Sequence, residues 1–210
     1  MQFGEWKENL LCSLFDCLKN DSFVRRSKDQ AFDKQCGSVR LAFHLCFIRH
    51  TADFDVTADV AIRFDDVEDL INSFNAELSP RKKKGTFTMG CELGNLTEGE
   101  QRRWSVTRPE DIPAVAKSLY SAFQIVALPY YEKYSDRDTA LNVLSGDTPE
   151  SWLHCPFHTA RAERAVSMAL LMKGKEEARK LAEAKLDYLQ GRKDPNLWSF
   201  QDLIASLDLA

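Results

Sequence analysis

Two neighbouring runs of alternating apolar and polar residues constrain the fold more than any other feature of the sequence. The first is "VRLAFHLCFIRH", residues 39–50, and the second is "FDVTADVAIRF", residues 54–64. Successive side chains of a strand point to opposite faces, so each run predicts a strand with one buried face. The short polar stretch between them is typical of a hairpin loop. The sequence therefore predicts a long antiparallel hairpin.

The register of this hairpin predicts a polar strip on its second face. Symmetric pairing about the loop places Phe43 opposite Val60, so the two apolar faces agree. The same pairing places His44 opposite Asp59. A carboxylate beside an imidazole can orient a general base, but such a pair is more often a cross-strand polar contact, and we favour the second interpretation. The strip, a candidate partner-binding surface, consists of Arg40, His44, Asp59 and Arg63.

Helical spacing of apolar residues dominates the rest of the chain. We predict a first helix over 3–18, a second over 65–78, and a long one from Pro109 that Pro129 should kink or end. Four more helices follow, and two of them form a small-residue hairpin. These four occupy 135–144, with Ser135 as its N-cap, then 158–174, 175–191 and 195–207. Further strands are expected in "TFTMGCEL", residues 86–93, and "RWSV", residues 103–106.

These elements predict an α+β fold. We expect an antiparallel sheet of about four to six strands packed against the first helix and the helix from Pro109, with an all-helical C-terminal third. The predicted division is an α+β core over 1–148 and a helical extension over 149–210. We expect the extension to pack on the core as one compact unit.

Composition narrows the classes of function. The chain has 28 basic and 32 acidic residues, so its net charge does not favour nucleic acid or anionic lipid. No apolar run approaches the length of a membrane span, and we expect no membrane partner. Its six cysteines contain no CxxC pair, which is typical of reduced, mostly buried thiols in a cytoplasmic protein.

The stretch "HCPFH", residues 154–158, admits three interpretations. A zinc site would need a second pair of ligands, which the sequence does not supply nearby. Cys155 at a helix N-terminus beside His158 could be an activated thiol, but no third group to orient it is evident. The interpretation we favour is a helix start with Pro156 at its first position.

A basic run, Arg81, Lys82, Lys83 and Lys84, could contact phosphate groups or an acidic protein. The preceding helix begins with acidic residues, and basic residues at its C-terminal end would also fit the helix dipole. We favour that local explanation, because no interleaved aromatic residues accompany the run.

The order of elements, and above all "RWSV" and "ALPYYEKYSD", resembles an uncharacterised bacterial domain-of-unknown-function family found among immunity-type proteins of toxin systems. The resemblance covers roughly residues 5–145. It implies a helix, an antiparallel sheet and a helical C-terminal part, and a non-enzymatic role in protein binding. It assigns no catalytic residues.

We therefore expect a cytoplasmic, bacterial, non-enzymatic protein that binds another protein, such as a toxin that it neutralises. We assign no catalytic, cofactor-binding or metal-binding residues and no cofactor. One alternative is a nucleic-acid-associated accessory protein that uses Arg81–Lys84. Another is an enzyme or metalloprotein that uses Cys155, His158 or His44. The identity of the partner and the oligomeric state stay open.

Overall fold

A computed structural model describes residues 3–26 and 29–210. It confirms the α+β class, with a six-stranded antiparallel sheet packed with helices and a helix-rich C-terminal half. The strands are β1 Val24–Arg26, β2 Ala31–Cys36, β3 Val39–Arg49, β4 Phe54–Phe64, β5 Met89–Glu92 and β6 Trp104–Val106. They are ordered β1-β2-β3-β4-β5, and β6 also pairs with β4.

Eleven α-helices are found in the described residues. They are α1 Phe3–Leu18, α2 Asp65–Ser73, α3 Pro80–Lys84, α4 Leu93–Thr97, α5 Ile112–Ala122, α6 Leu128–Tyr134, α7 Arg137–Ser145, α8 Pro149–His154, α9 His158–Lys173, α10 Lys175–Arg192 and α11 Leu197–Ser206. None of them is long and apolar enough to span a bilayer.

The hairpin predicted from the alternating runs is formed by β3 and β4. Every apolar residue of the predicted inner face of β4 is fully buried, and the set is Phe54, Val56, Ala58, Val60, Ile62 and Phe64. Strand β5 approaches β4 closely at Gly90, where an added Cβ would lie 2.6 Å from the carbonyl oxygen of Val60. Only glycine fits there without a shift of the backbone.

The chain forms two compact units, each made of two separate segments. The first contains the residues up to Ile62 and Gly90–Lys133. Here Phe3 of α1 packs edge-on against Phe54, with ring centroids 5.4 Å apart. The ring of Phe123, which begins a π-helical turn between α5 and α6, meets Phe43 at 5.3 Å. Aromatic side chains therefore join the helices of this unit to its sheet.

The second unit contains Arg63–Met89 and Tyr134–Ala210. Helix α9 is its centre and packs against α2, α7, α10 and α11. The predicted hairpin of small residues is confirmed, since α9 and α10 bury alanines against each other. These buried alanines are Ala162, Ala165, Ala169, Ala178 and Ala182.

Helix α2 is shorter than predicted, because it ends at Ser73 rather than at residue 78. The side-chain oxygen of Asn75 accepts hydrogen bonds from the backbone N–H groups of Glu77 and Leu78, which closes a turn instead. The basic run then forms a separate helix, α3, capped by Ser79. Its charges therefore do not belong to the end of α2, and the predicted dipole explanation is wrong.

Pro129 is predicted to kink or end the long helix. The helix does not end there, since α6 continues to Tyr134 after the π-helical turn at Phe123–Ala127, and the kink stays a prediction. The cap of the next helix differs from prediction. Asp136, not Ser135, caps α7, because its carboxylate accepts from the backbone N–H of Thr139 at 2.9 Å.

The predicted division between residues 148 and 149 falls inside the second unit. Segment 63–89 belongs with the C-terminal helices in packing, although the sequence places it between strands. The predicted division into a core domain and a C-terminal extension stays a prediction.

Candidate functional site

The "HCPFH" stretch lies between two helices. It contains the last residue of α8, His154, and the first residue of α9, His158. Phe157, not Cys155, is the N-cap of α9, and Pro156 precedes that cap. The predicted helix over 158–174 is confirmed, but Pro156 is not at its first position, and the stretch also ends a short helix that was not predicted.

Cys155 does not have the surroundings of an activated thiol. Its side chain is buried, and burial raises the pKa of the thiol despite the nearby Arg164 and Arg161. The carbonyl of Cys155 accepts from Arg161 at 2.8 Å. His154 packs on Tyr134, with ring centroids 4.5 Å apart. These contacts explain the residues as parts of the fold.

Phe157, by contrast, is 74% exposed and lies at one end of a groove in the second unit. Two adjoining cavities of about 510 and 570 Å³ share the residues Asn75, Glu163, Trp198 and Ser199. We call this continuous concavity the Trp198 groove, because that indole lines both cavities and is 63% exposed. Large exposed aromatic side chains around a concavity are typical of a binding surface.

The charge of the Trp198 groove has one sign. Its carboxylates belong to Glu77, Glu163, Asp194 and Asp202. Among its described lining residues there is no lysine or arginine. Glu163 is largely buried, and burial raises the pKa of its carboxyl although the hydroxyl of Ser199 donates to it at 2.7 Å. The groove therefore combines aromatic contact area with negative charge.

A second candidate site lies in the first unit, on β3 and β4. The predicted proximity of His44 and Asp59 is confirmed, with Nδ1 and Oδ2 separated by 3.3 Å. Cys46, two residues along β3, brings its sulfur to 3.6 Å from the same Nδ1 and 3.5 Å from the same Oδ2. Burial, with the adjacent Asp59 carboxylate, raises the pKa of the Cys46 thiol to about 11.

The two arginines of the predicted polar strip are engaged within the protein. The Nε of Arg40 lies 3.7 Å from Asp33 on β2. Arg63 is 2% exposed, and its guanidinium donates to Asp65, Asp69 and Thr86 within the second unit. A role in partner binding for Arg40, His44, Asp59 and Arg63 stays a prediction.

The basic run forms α3, which is anchored through its backbone. Arg63 and Asn72 both donate to the carbonyl of Lys83. The side chains of Arg81, Lys82 and Lys84 are exposed, whereas that of Lys83 is half-buried. Nucleic-acid or protein binding through Arg81–Lys84 stays a prediction.

Comparison of the chain with protein-family models, with curated proteins and with solved structures finds no match. The resemblance to immunity-type proteins therefore stays a prediction, and function must be argued from the two sites.

Sequence reasoning missed one residue of each site, Trp198 of the groove and Cys46 beside His44 and Asp59. Trp198 lies off the apolar stripe that contains Phe200, Leu203 and Ile204 on α11, so a large aromatic residue on the polar face was a usable signal. Cys46 shares the strand face of His44, because residues two apart on a strand point the same way. That spacing, combined with the predicted pairing to Asp59, was the signal for the second site.

Proposed function

We propose that this chain is a non-enzymatic, protein-binding protein that holds a basic segment of its partner in the Trp198 groove. The observation that carries the proposal is the exposed indole of Trp198, which lines two adjoining cavities. Among the described residues that line these cavities there are four acidic residues and no lysine or arginine. Tryptophan is over-represented among the residues that contribute most to protein interfaces.

The chemistry of the groove specifies the occupant. A lysine or arginine side chain over the indole face gains a cation–π interaction. The exposed carboxylates of Glu77 and Asp202 line the same cavity and can pair with further cations. Apolar side chains between those cations can pack against Phe74 and Phe157. A segment that alternates basic and apolar residues fits all of these features.

A toxin is the kind of partner that best matches a basic segment. A toxin that acts on nucleic acid needs cationic side chains to hold phosphate groups, and covering them would block its substrate. In this proposal the chain acts in the cytoplasm as an immunity protein. None of the six cysteines forms a disulfide, which supports the proposal that the chain acts where thiols are kept reduced.

Binding of a short labelled peptide tests the proposed chemistry. We expect a peptide of alternating lysine, leucine, arginine and phenylalanine to bind, and its counterpart with glutamate in place of the cations not to bind. Trp198→Ala should weaken binding about 30-fold, since a central tryptophan contributes roughly 2 kcal/mol or more. Fluorescence anisotropy of the labelled peptide measures both effects.

The matched control is Trp152→Ala, which removes another exposed tryptophan that does not line the groove. It should leave the affinity for the basic peptide unchanged. Equal binding of the basic and acidic peptides, or equal effects of the two tryptophan variants, would contradict the proposal.

Nucleic-acid binding through α3 is tested separately by salt titration with labelled DNA and RNA. If phosphate contacts carried the function, affinity would fall steeply with salt, and replacing Lys82–Lys84 with alanine would flatten the slope. We expect no binding at low salt. Tight binding with that salt slope would favour the nucleic-acid alternative.

A further inference from the structure

Three potential metal ligands converge on one point of the first unit. The Nδ1 of His44, the sulfur of Cys46 and a carboxylate oxygen of Asp59 all lie within 4.8 Å of one another. It is the only such group of three among the residues that the structure describes. Because two adjacent strands hold the three side chains, their relative positions are fixed by the sheet.

The separations match the edges of a zinc coordination tetrahedron. Zinc binds nitrogen and carboxylate oxygen at about 2.0–2.2 Å and thiolate sulfur at about 2.3 Å, so ligands at tetrahedral angles lie about 3.3–3.6 Å apart. The three observed separations are 3.3, 3.5 and 3.6 Å. The spacing of the three atoms is therefore compatible with one ion bound to all of them.

The same geometry is wrong for a catalytic relay. In a thiol–imidazole–carboxylate relay the thiol and the carboxylate contact opposite nitrogens of the ring. Here the sulfur of Cys46 and the carboxylate of Asp59 both approach Nδ1 of His44. The thiol and the imidazole also share one oxygen of Asp59. The three groups face a common centre, as ligands do.

We propose that His44, Cys46 and Asp59 form a binding site for a zinc-like divalent transition-metal ion. A thiolate and an imidazole select this class of metal over magnesium and calcium, which prefer oxygen ligands. Binding releases the thiol proton of Cys46 to solvent and forms the metal–sulfur bond. The side chains of His44 and Asp59 are each 35% exposed, so water completes the fourth position.

This proposal is independent of the Trp198 groove, which belongs to the second unit. An ion here would link β3 to β4 beyond their backbone hydrogen bonds. It would also leave one coordination position open to an exogenous ligand, as metal sites with three protein ligands do.

Metal titration of the untagged 210-residue chain tests the site. With Co²⁺ as the probe, we expect about one equivalent to bind, with the thiolate-to-cobalt charge-transfer absorption that marks sulfur coordination. Cys46→Ser should abolish that absorption and weaken Zn²⁺ binding by more than the roughly 10- to 100-fold that loss of an outer hydrogen-bonding partner costs. Competition with a chromophoric chelator measures the zinc affinity.

The matched control is His50→Ala. His50 and Asp55 form a similar pair, with Nε2 and Oδ2 3.2 Å apart, but this pair is not part of a group of three ligands among the described residues. This variant should keep the stoichiometry and affinity of the wild type. Circular dichroism of each variant reports whether its fold is intact.

A measurement on the wild-type chain avoids any effect of substitution on folding. Zinc should slow alkylation of Cys46 at least tenfold and leave the exposed Cys36 unaffected, as measured by mass spectrometry of peptides. Unchanged alkylation of Cys46 in saturating zinc would overturn the proposal. So would cobalt binding that Cys46→Ser leaves intact, or that His50→Ala removes equally.

Discussion

Glu68 is a carboxylate with 1% exposure, and it lies in the interior of the second unit. It accepts from the Nε of Arg164 at 2.9 Å, and that nitrogen also donates to the carbonyl of Phe87. The carboxylate raises the pKa of Arg164 against the opposing effect of burial. This ion pair connects α2 to α9, so each charge depends on the other.

Glu68→Ala should therefore destabilise the chain by about 3–5 kcal/mol, because it leaves the guanidinium of Arg164 buried without its counter-charge. Urea denaturation followed by circular dichroism measures the change in free energy of unfolding. The control Glu177→Ala removes an exposed, solvent-screened ion pair with Lys180 and should leave the free energy of unfolding nearly unchanged. Similar losses for the two variants would contradict this account of the pair.

Cys155 is the residue whose environment sequence reasoning described least well. Burial raises the pKa of its thiol, and Glu68 adds to this while Arg164 and Arg161 oppose it; Glu68 is far away in the sequence. The position of Cys155 next to a proline in the sequence does not indicate which distant residues surround it in the fold. The prediction of mostly buried cysteines also needs correction, because Cys155 is the only buried one of the six.

Cys155 should consequently react slowly with iodoacetamide. At pH 8 a thiol with a raised pKa holds a smaller thiolate fraction than an ordinary cysteine, and burial restricts access further. We expect its modification to be at least tenfold slower than that of Cys36 in the folded chain, by mass spectrometry. In urea the two rates should become equal. Equal rates in the folded chain would show that Cys155 is accessible.

At the scale of elements, periodicity was sufficient for most of the fold. The hairpin of β3 and β4 and the packed pair α9 and α10 follow directly from apolar spacing. The errors lie where a side chain competes with the periodic pattern. Asn75 closes a turn before the predicted end of α2, and this depends on a local hydrogen bond that apolar spacing does not report.

The start of the long helix depends on Asp111. Its carboxylate accepts from the hydroxyl and the backbone N–H of Thr107 and from the backbone N–H of Arg108. The side chains of Thr107 and Arg108 are the main cause of its lowered pKa, which falls to about 2. The carboxyl of Asp111 is thus ionised more readily in the folded chain than in the unfolded chain.

Asp111→Ala should lower the free energy of unfolding at neutral pH. Because the pKa is depressed in the folded chain, the contribution of Asp111 is complete above its ordinary value of 3.8 and is lost as pH falls through about 2. The difference between variant and wild type should therefore shrink between pH 4 and pH 2. Urea denaturation at several pH values measures this, and Glu110→Ala is the neighbouring control. A difference that does not vary with pH would contradict the capping role.

At the scale of the whole molecule, the Trp198 groove could not be predicted. The Trp198 groove draws on the end of α2, the start of α9 and the exposed face of α11. Phe74, Phe157 and Trp198 come from three separate segments, and nothing in one segment indicates the other two. The predicted partner surface used residues that are close in a strand register, which is the only kind of proximity that pattern analysis supplies.

Photo-crosslinking from position 198 tests the central claim most directly. A photoreactive amino acid would replace Trp198 in one variant and Ile125, which is 72% exposed in the first unit, in another. After irradiation in the native host, the account predicts a discrete adduct with one protein from position 198 only, mapped to a segment rich in lysine and arginine. An adduct of equal yield from position 125, an acidic or nucleic-acid adduct at position 198, or no adduct there would contradict it.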